Sequence, residues 1–141
     1  MKLDSRQFSK EAYQGLIALR DGDPTNDRNH TLEQKHFKKA SSLVQGLPAY
    51  ISTWGLHRLS GDATKFLKGT KEDTKYKGKV YREFLFRLKE FSQHNFQPEQ
   101  EGSLIDDVSL RDYTALNHLA IKLAKEWSFW AASILGEAEE G

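Results

Sequence analysis

The segment LPAYISTWGL, residues 47–56, constrains the fold of this chain more than any other stretch. It is the most hydrophobic run in the sequence and its flanks carry helical periodicity, yet it holds Pro48 and Gly55. Proline has no N–H and pushes the residue before it away from helical geometry, so a helix arriving through Val44 must stop or kink at Gly46-Leu47-Pro48. Proline also suits the first position of a new helix. The segment therefore predicts a sharp joint and a short helix carrying Ile51 and Trp54. Gly55 ends or bends that helix, because glycine reaches left-handed dihedrals cheaply. Leu47, Ile51 and Leu56 anchor the corner in the core.

Helical periodicity dominates elsewhere. Phe8, Ala12, Leu16 and Leu19 repeat at i, i+4, i+8 and i+11, with Ser5 as the expected N-cap. DGDPTND is a loop by its turn chemistry. Thr31 and Gln34 resemble a capping box opening a second helix through Phe37, Ala40, Leu43, Val44 and Leu47. Gly61 and Gly69 punctuate HRLSGDATKFLKGTKEDTK, which predicts a short helix over 62–68 between loops. A long helix is expected over about 75–96, with Val80, Phe84, Leu88 and Phe91 as its stripe and Tyr81 and Leu85 widening it. A last helix starts near Ser109 and runs to about Leu135, with Tyr113, Leu116, Ala120, Leu123, Trp127, Trp130 and Ile134 as a heptad-like seam. No segment alternates as a strand does. The expected class is all-α, a single-domain bundle of about five to six helices, with loops near 21–30, 69–75 and 97–107 and an acidic C-terminal tail.

The 141 residues contain no cysteine, which excludes a disulfide scaffold, a thiolate metal site and a cysteine nucleophile. MKLDSRQFSK has no apolar h-region and no apolar run reaches the ~18 residues that span a bilayer, so the expectation is a soluble cytoplasmic protein with no membrane partner. His30, His36, His57, His94 and His118 form no zinc motif, Asp106-Asp107 reads as helix capping, and LKGTK lacks the spacing of a phosphate-binding loop. No catalytic residue, metal or cofactor is expected.

Charge is unevenly spread. Residues 31–97 carry a net +7 and residues 98–141 a net −6, within a total of +1. Lys35, Lys38 and Lys39 lie on one flank of the second helix. Lys65, Lys68, Lys71, Lys75, Lys77, Lys79, Arg82 and Arg87 crowd the region leading into the long helix, with Tyr76 and Tyr81 interleaved. Such a cluster suits phosphate contact with an aromatic available to stack on a base. Because Gly69 and Gly78 flank much of it, a flexible basic loop reaching out of the bundle is expected. The bland reading is that pairs such as Glu83–Arg87 solubilise a helix surface.

The pattern L-P-x-x-I-x-x-x-G-L, here Leu47-Pro48, Ile51 and Gly55-Leu56, follows the basic amphipathic stretch FKKASSLVQG. It resembles the small α-helical subunit of type III-B (Cmr-type) CRISPR–Cas effector complexes, with the small subunit of another type III complex as the close alternative. The resemblance implies a non-catalytic role in antiviral defence. Such subunits stack head to tail along the complex beside the backbone and large subunits, and line the groove that holds guide RNA and target RNA. Lys35, Lys38, Lys39 and the cluster from Lys65 to Arg87 are then the RNA-facing residues. A basic face and an acidic end also offer a contact between adjacent copies. Two other readings stand beside it: a helical adaptor binding only protein through the Trp127–Trp130 end and the acidic tail, and a metal-independent ribonuclease using His36 or His118.

Overall fold

The computed structural model describes residues 4–138; Glu139 and Glu140 of the acidic tail lie outside them. Among the described residues there are seven α-helices, one 3₁₀ turn and no strand. They are α1 (Ser5–Asp21), the 3₁₀ turn Gln34–His36, α2 (Phe37–Gln45), α3 (Leu47–Trp54), α4 (Leu56–Lys68), α5 (Glu72–Ser92), α6 (Ser103–Asp106) and α7 (Leu110–Leu135). The all-α class expected from periodicity is the class observed.

Two helix pairs form the frame. Helix α7 packs along α1 and also receives α2 and α3, while α5 packs along α4. Trp127 of α7 is fully buried, with its ring edge-on to Phe84 of α5 at 5.2 Å between centroids. Gly15 of α1 makes room for it, since a Cβ there would stand 2.5 Å from Trp127 Cζ2. The expected seam of α7 is buried at Leu116, Ala120, Leu123, Trp127 and Ile134, and half-buried at Tyr113 and Trp130.

In LPAYISTWGL the helix breaks at Gly46 as expected, but Pro48 does not push Leu47 out of helical geometry. Leu47 already opens α3, Pro48 is its second residue, and Gly46 itself has helical dihedrals (φ −88°, ψ −6°). Helices α2 and α3 are separated only by Gly46, whose N–H still donates to Ser42 and Leu43 carbonyls at 3.2 and 3.1 Å. Pro48 occupies the first turn of α3, where no helical donor is missed. Leu47, Ile51 and Leu56 are buried. Gly55, at φ +84°, ends α3. The start of α4 is then capped from outside by α7: Asn117 Oδ1 accepts from the Leu56 N–H at 3.0 Å, and the Tyr113 hydroxyl accepts from the His57 N–H at 3.4 Å.

Several boundaries differ from expectation. Asp4, not Ser5, caps α1, in a capping box with Gln7. The Thr31–Gln34 box does not form. The chain there is extended, with the Leu32 N–H donating to Leu19 O at 2.7 Å, and the helix opens through the 3₁₀ turn after Glu33, whose side chain makes no cap. Instead of a short helix over 62–68, the 13-residue α4 runs straight through Gly61, because burying Leu56, Leu59 and Ala63 outweighs the roughly 1 kcal/mol helix penalty of one glycine. Helix α5 begins three residues earlier than expected, and Gln93 in the left-handed region (φ 61°) ends it. The expected basic loop flanked by Gly69 and Gly78 is overturned: only residues 69–71 lie between α4 and α5. Gly78 sits inside α5, where a Cβ would meet Leu67 Cγ at 2.6 Å and the Ala63 carbonyl at 2.9 Å. The two helices approach each other closely at this residue.

Gly61 and Gly78, both inside helices, therefore make opposite predictions. No atom lies within 4 Å of a Cβ on Gly61, so Gly61→Ala is expected to stabilise the fold by about 0.5–1 kcal/mol. Gly78→Ala forces backbone apart and is expected to destabilise by about 1–3 kcal/mol despite the same propensity gain. Thermal melts of the two variants in one buffer should shift in opposite directions.

Candidate nucleic-acid interface

The basic residues predicted from sequence gather at one end of the bundle because three elements meet there. The short link over 69–71 folds α5 back along α4, placing Lys65 and Lys68 of α4 beside Lys71 and the first turns of α5 with Lys75, Lys77 and Lys79. The 3₁₀ turn docks on the same end: the buried His36 ring stacks on Tyr76 at 5.2 Å, and Lys79 Nζ donates to Thr31 O at 3.2 Å. That contact brings Lys35, Lys38 and Lys39 toward α5.

Six of these lysines (Lys35, Lys38, Lys39, Lys65, Lys68 and Lys71) are exposed, and Lys75, Lys77 and Lys79 are partly so. Lys71 holds the N-cap position of α5, where the helix field disfavours a cation. The nearby acids neutralise little. Lys35–Glu33 at 3.3 Å and Lys75–Glu72 at 3.6 Å are largely solvated pairs of small net worth.

The two arginines assigned to the cluster are placed differently. Arg82 is half-buried between α4 and α5, donating to Thr64 Oγ1 at 3.0 Å, and burial lowers its pKa. With Lys68 it lines a cleft of about 570 Å³ whose far wall is Glu99, Gln100 and Glu101. Arg87 leaves the solvent-facing set altogether. Its side chain is 8% exposed and bonds Glu83 Oε2 at 2.8 Å and Asp23 Oδ2 at 2.7 Å.

Arg87 belongs to a buried ion network that sequence reasoning missed. Glu83, 2% exposed, also accepts from Arg28 Nη2 at 3.0 Å and contacts His30 Nδ1 at 2.8 Å. Arg28 reaches on to Glu90 at 3.1 Å and lies over the Phe86 ring at 4.5 Å. Burial alone would push the Glu83 carboxyl up, but the hydrogen bonds from His30, Arg28 and Arg87 outweigh it and hold the group at about 2. The spacing of Glu83 and Arg87 looks like an ordinary i,i+4 surface pair. Nothing local announces partners more than fifty residues away.

The aromatics also change places. Tyr76 and Tyr81, expected to stack on bases, are buried at 7% and 6% exposure. Tyr76 lies under His36. Tyr81 lies between Tyr50 and Phe66, and burial pushes its phenol up to about 12. The ring that does stand among the lysines is Phe66 of α4, with Lys77 Nζ at 5.3 Å and Lys65 Nζ at 5.9 Å from its centroid. The local signal for it was KFLK, an aromatic with a lysine on each side.

The histidines serve separate settings: His30 in the ion network, His36 on Tyr76, His57 against the Tyr113 hydroxyl at 2.6 Å, and His118 exposed on α7. Among the described residues no group of three or more His, Asp or Glu side chains is arranged to hold a metal, and no helix is long and apolar enough to cross a membrane. No protein-family model, curated protein or solved structure matches this chain.

Proposed function

We propose that this chain is a non-catalytic, RNA-contacting subunit of a type III CRISPR effector complex. One observation carries the reading: exposed lysines of α4 and partly exposed ones in the first turns of α5 flank the 69–71 link, and the His36–Tyr76 and Thr31–Lys79 contacts fasten the start of the α2 lysine segment to α5, with few acids among them. Lysines of this kind hold a phosphate backbone in position and do not read bases, as a subunit lining a guide–target groove requires. The L-P-x-x-I-x-x-x-G-L corner supports the same assignment through its resemblance to the family. The partners are guide and target RNA, further copies of the chain, and the backbone and large subunits of the complex.

Binding of a single-stranded RNA should weaken steeply with salt. Each phosphate contact removed should reduce the log–log slope by roughly 0.7–0.9. Lys38→Glu with Lys39→Glu is therefore expected to weaken binding and flatten the slope while leaving helicity unchanged, since both side chains are exposed. Fluorescence anisotropy across a KCl series tests this. Identical curves for parent and variant would remove α2 from the interface.

A second observation favours a protein-binding face elsewhere. Phe129 is 70% and Tyr13 47% exposed, and both rings are edge-on to Trp130 at 5.0 and 5.8 Å. An adaptor binding only protein would use this patch and show no RNA affinity at physiological salt.

A further inference from the structure

We infer that Phe66 is a stacking platform for an unpaired nucleotide of bound RNA, with Lys65 and Lys77 as its phosphate clamp. The inference rests on the RNA reading above and names a site within it. Among the aromatics at the basic end, Tyr76 and Tyr81 are closed off by His36, Tyr50 and Phe66. Phe66 differs. It is only partly buried, packed on the core side against Tyr81 at 6.3 Å between centroids. Two ammonium groups from different helices sit over its ring. An ammonium keeps much of its hydration, so the ring that it covers opens to water.

The energetic comparison favours exchange. Two lysines over an exposed aromatic ring are together worth about 1–2 kcal/mol. A base stacked on an aromatic is worth about 1–3 kcal/mol, and the displaced ammoniums gain phosphate contacts in addition. A phosphodiester arriving between Lys65 and Lys77 draws both ammoniums toward its oxygens and uncovers the ring. The adjoining base then takes the place of the two cations. A base held in a duplex already stacks on its neighbours, so the nucleotide recognised is an unpaired one.

The test uses the full chain and a labelled single-stranded RNA, intact or with its central nucleotides abasic, across a KCl series. Phe66→Leu is expected to weaken binding of the intact strand roughly 5- to 150-fold while leaving the salt slope unchanged. Lys65→Ala with Lys77→Ala is expected to flatten the slope by about 1.4. The unmodified chain should bind the abasic strand more weakly than the intact one, a comparison that needs no variant to fold. Equal affinity of the unmodified chain for intact and abasic strands overturns the platform while leaving backbone contact standing. A chain that binds neither strand at low salt overturns the RNA reading and this site with it.

Discussion

Replacing Glu83 by alanine is expected to cost about 3 kcal/mol of folding stability, because it leaves Arg28 with only the half-exposed Glu90 and Arg87 with only Asp23 as counter-charge. The loss should carry a pH signature. The carboxyl sits at about 2 in the folded chain against an ordinary 4.5. A group depressed on folding contributes fully above its unfolded value and loses that contribution as pH falls through the folded one. The window therefore runs from about 4.5 down to about 2, and the amount is on the order of 3 kcal/mol. Urea unfolding of the parent at pH 7, 4 and 3 should show stability falling steeply over that interval. Glu83→Ala should start lower and fall less. Parallel acid profiles, or a cost below 1 kcal/mol at pH 7, would show that the network is incidental.

The consequence reaches the candidate interface. Asp23, Arg28 and His30 all sit on the segment joining α1 to the 3₁₀ turn, and Glu83 and Arg87 fasten that segment to α5. The same segment continues to Thr31, which meets Lys79, and to Lys35. Loosening it should therefore disturb the position of the α2 lysines. The loop was readable from Gly22, Pro24 and the Asp and Asn residues around them. Its attachment was not, because an ion pair between residues 55 apart leaves no periodic trace.

That contrast describes the whole chain. Positions whose role depends on near neighbours were legible: the stripe of α1, the seam of α7 and the Pro48 corner all follow from spacing and backbone chemistry. Positions decided by a distant partner were not. Gly61 and Gly78 look alike as punctuation, yet one lies open in α4 and the other forms the floor of a helix crossing. Lysines stayed at the surface as their hydration demands, so most of the basic cluster was readable in composition alone. Arg87 was misplaced because arginine tolerates burial when both ends of its guanidinium find carboxylates, as Glu83 and Asp23 provide.

Gly55→Ala is the second large effect, and its cause can be separated into two parts. The residue has φ +84° and ψ 164°, a region essentially reserved for glycine, which costs a side chain on the order of 1–3 kcal/mol. Independently, a Cβ would stand 2.5 Å from the Tyr113 hydroxyl, inside any normal contact. That hydroxyl is fixed by His57 Nδ1 at 2.6 Å and helps cap α4, so it cannot swing aside without releasing the helix start. The combined cost is expected to reach about 2–5 kcal/mol. Tyr113→Phe alone should destabilise by about 1 kcal/mol, having lost its hydrogen bond. In the Gly55→Ala background the same change should stabilise, because it removes the atom that clashes most and leaves the dihedral strain and the tight contacts to His57 Nδ1 and Cε1 at 3.2 and 3.3 Å. A double-mutant cycle in urea reads this coupling directly. Additive losses would mean that the corner requires glycine for its dihedral alone. Rescue by Tyr113→Phe would mean that the turn after LPAYISTW is glycine because α7 is pressed against it.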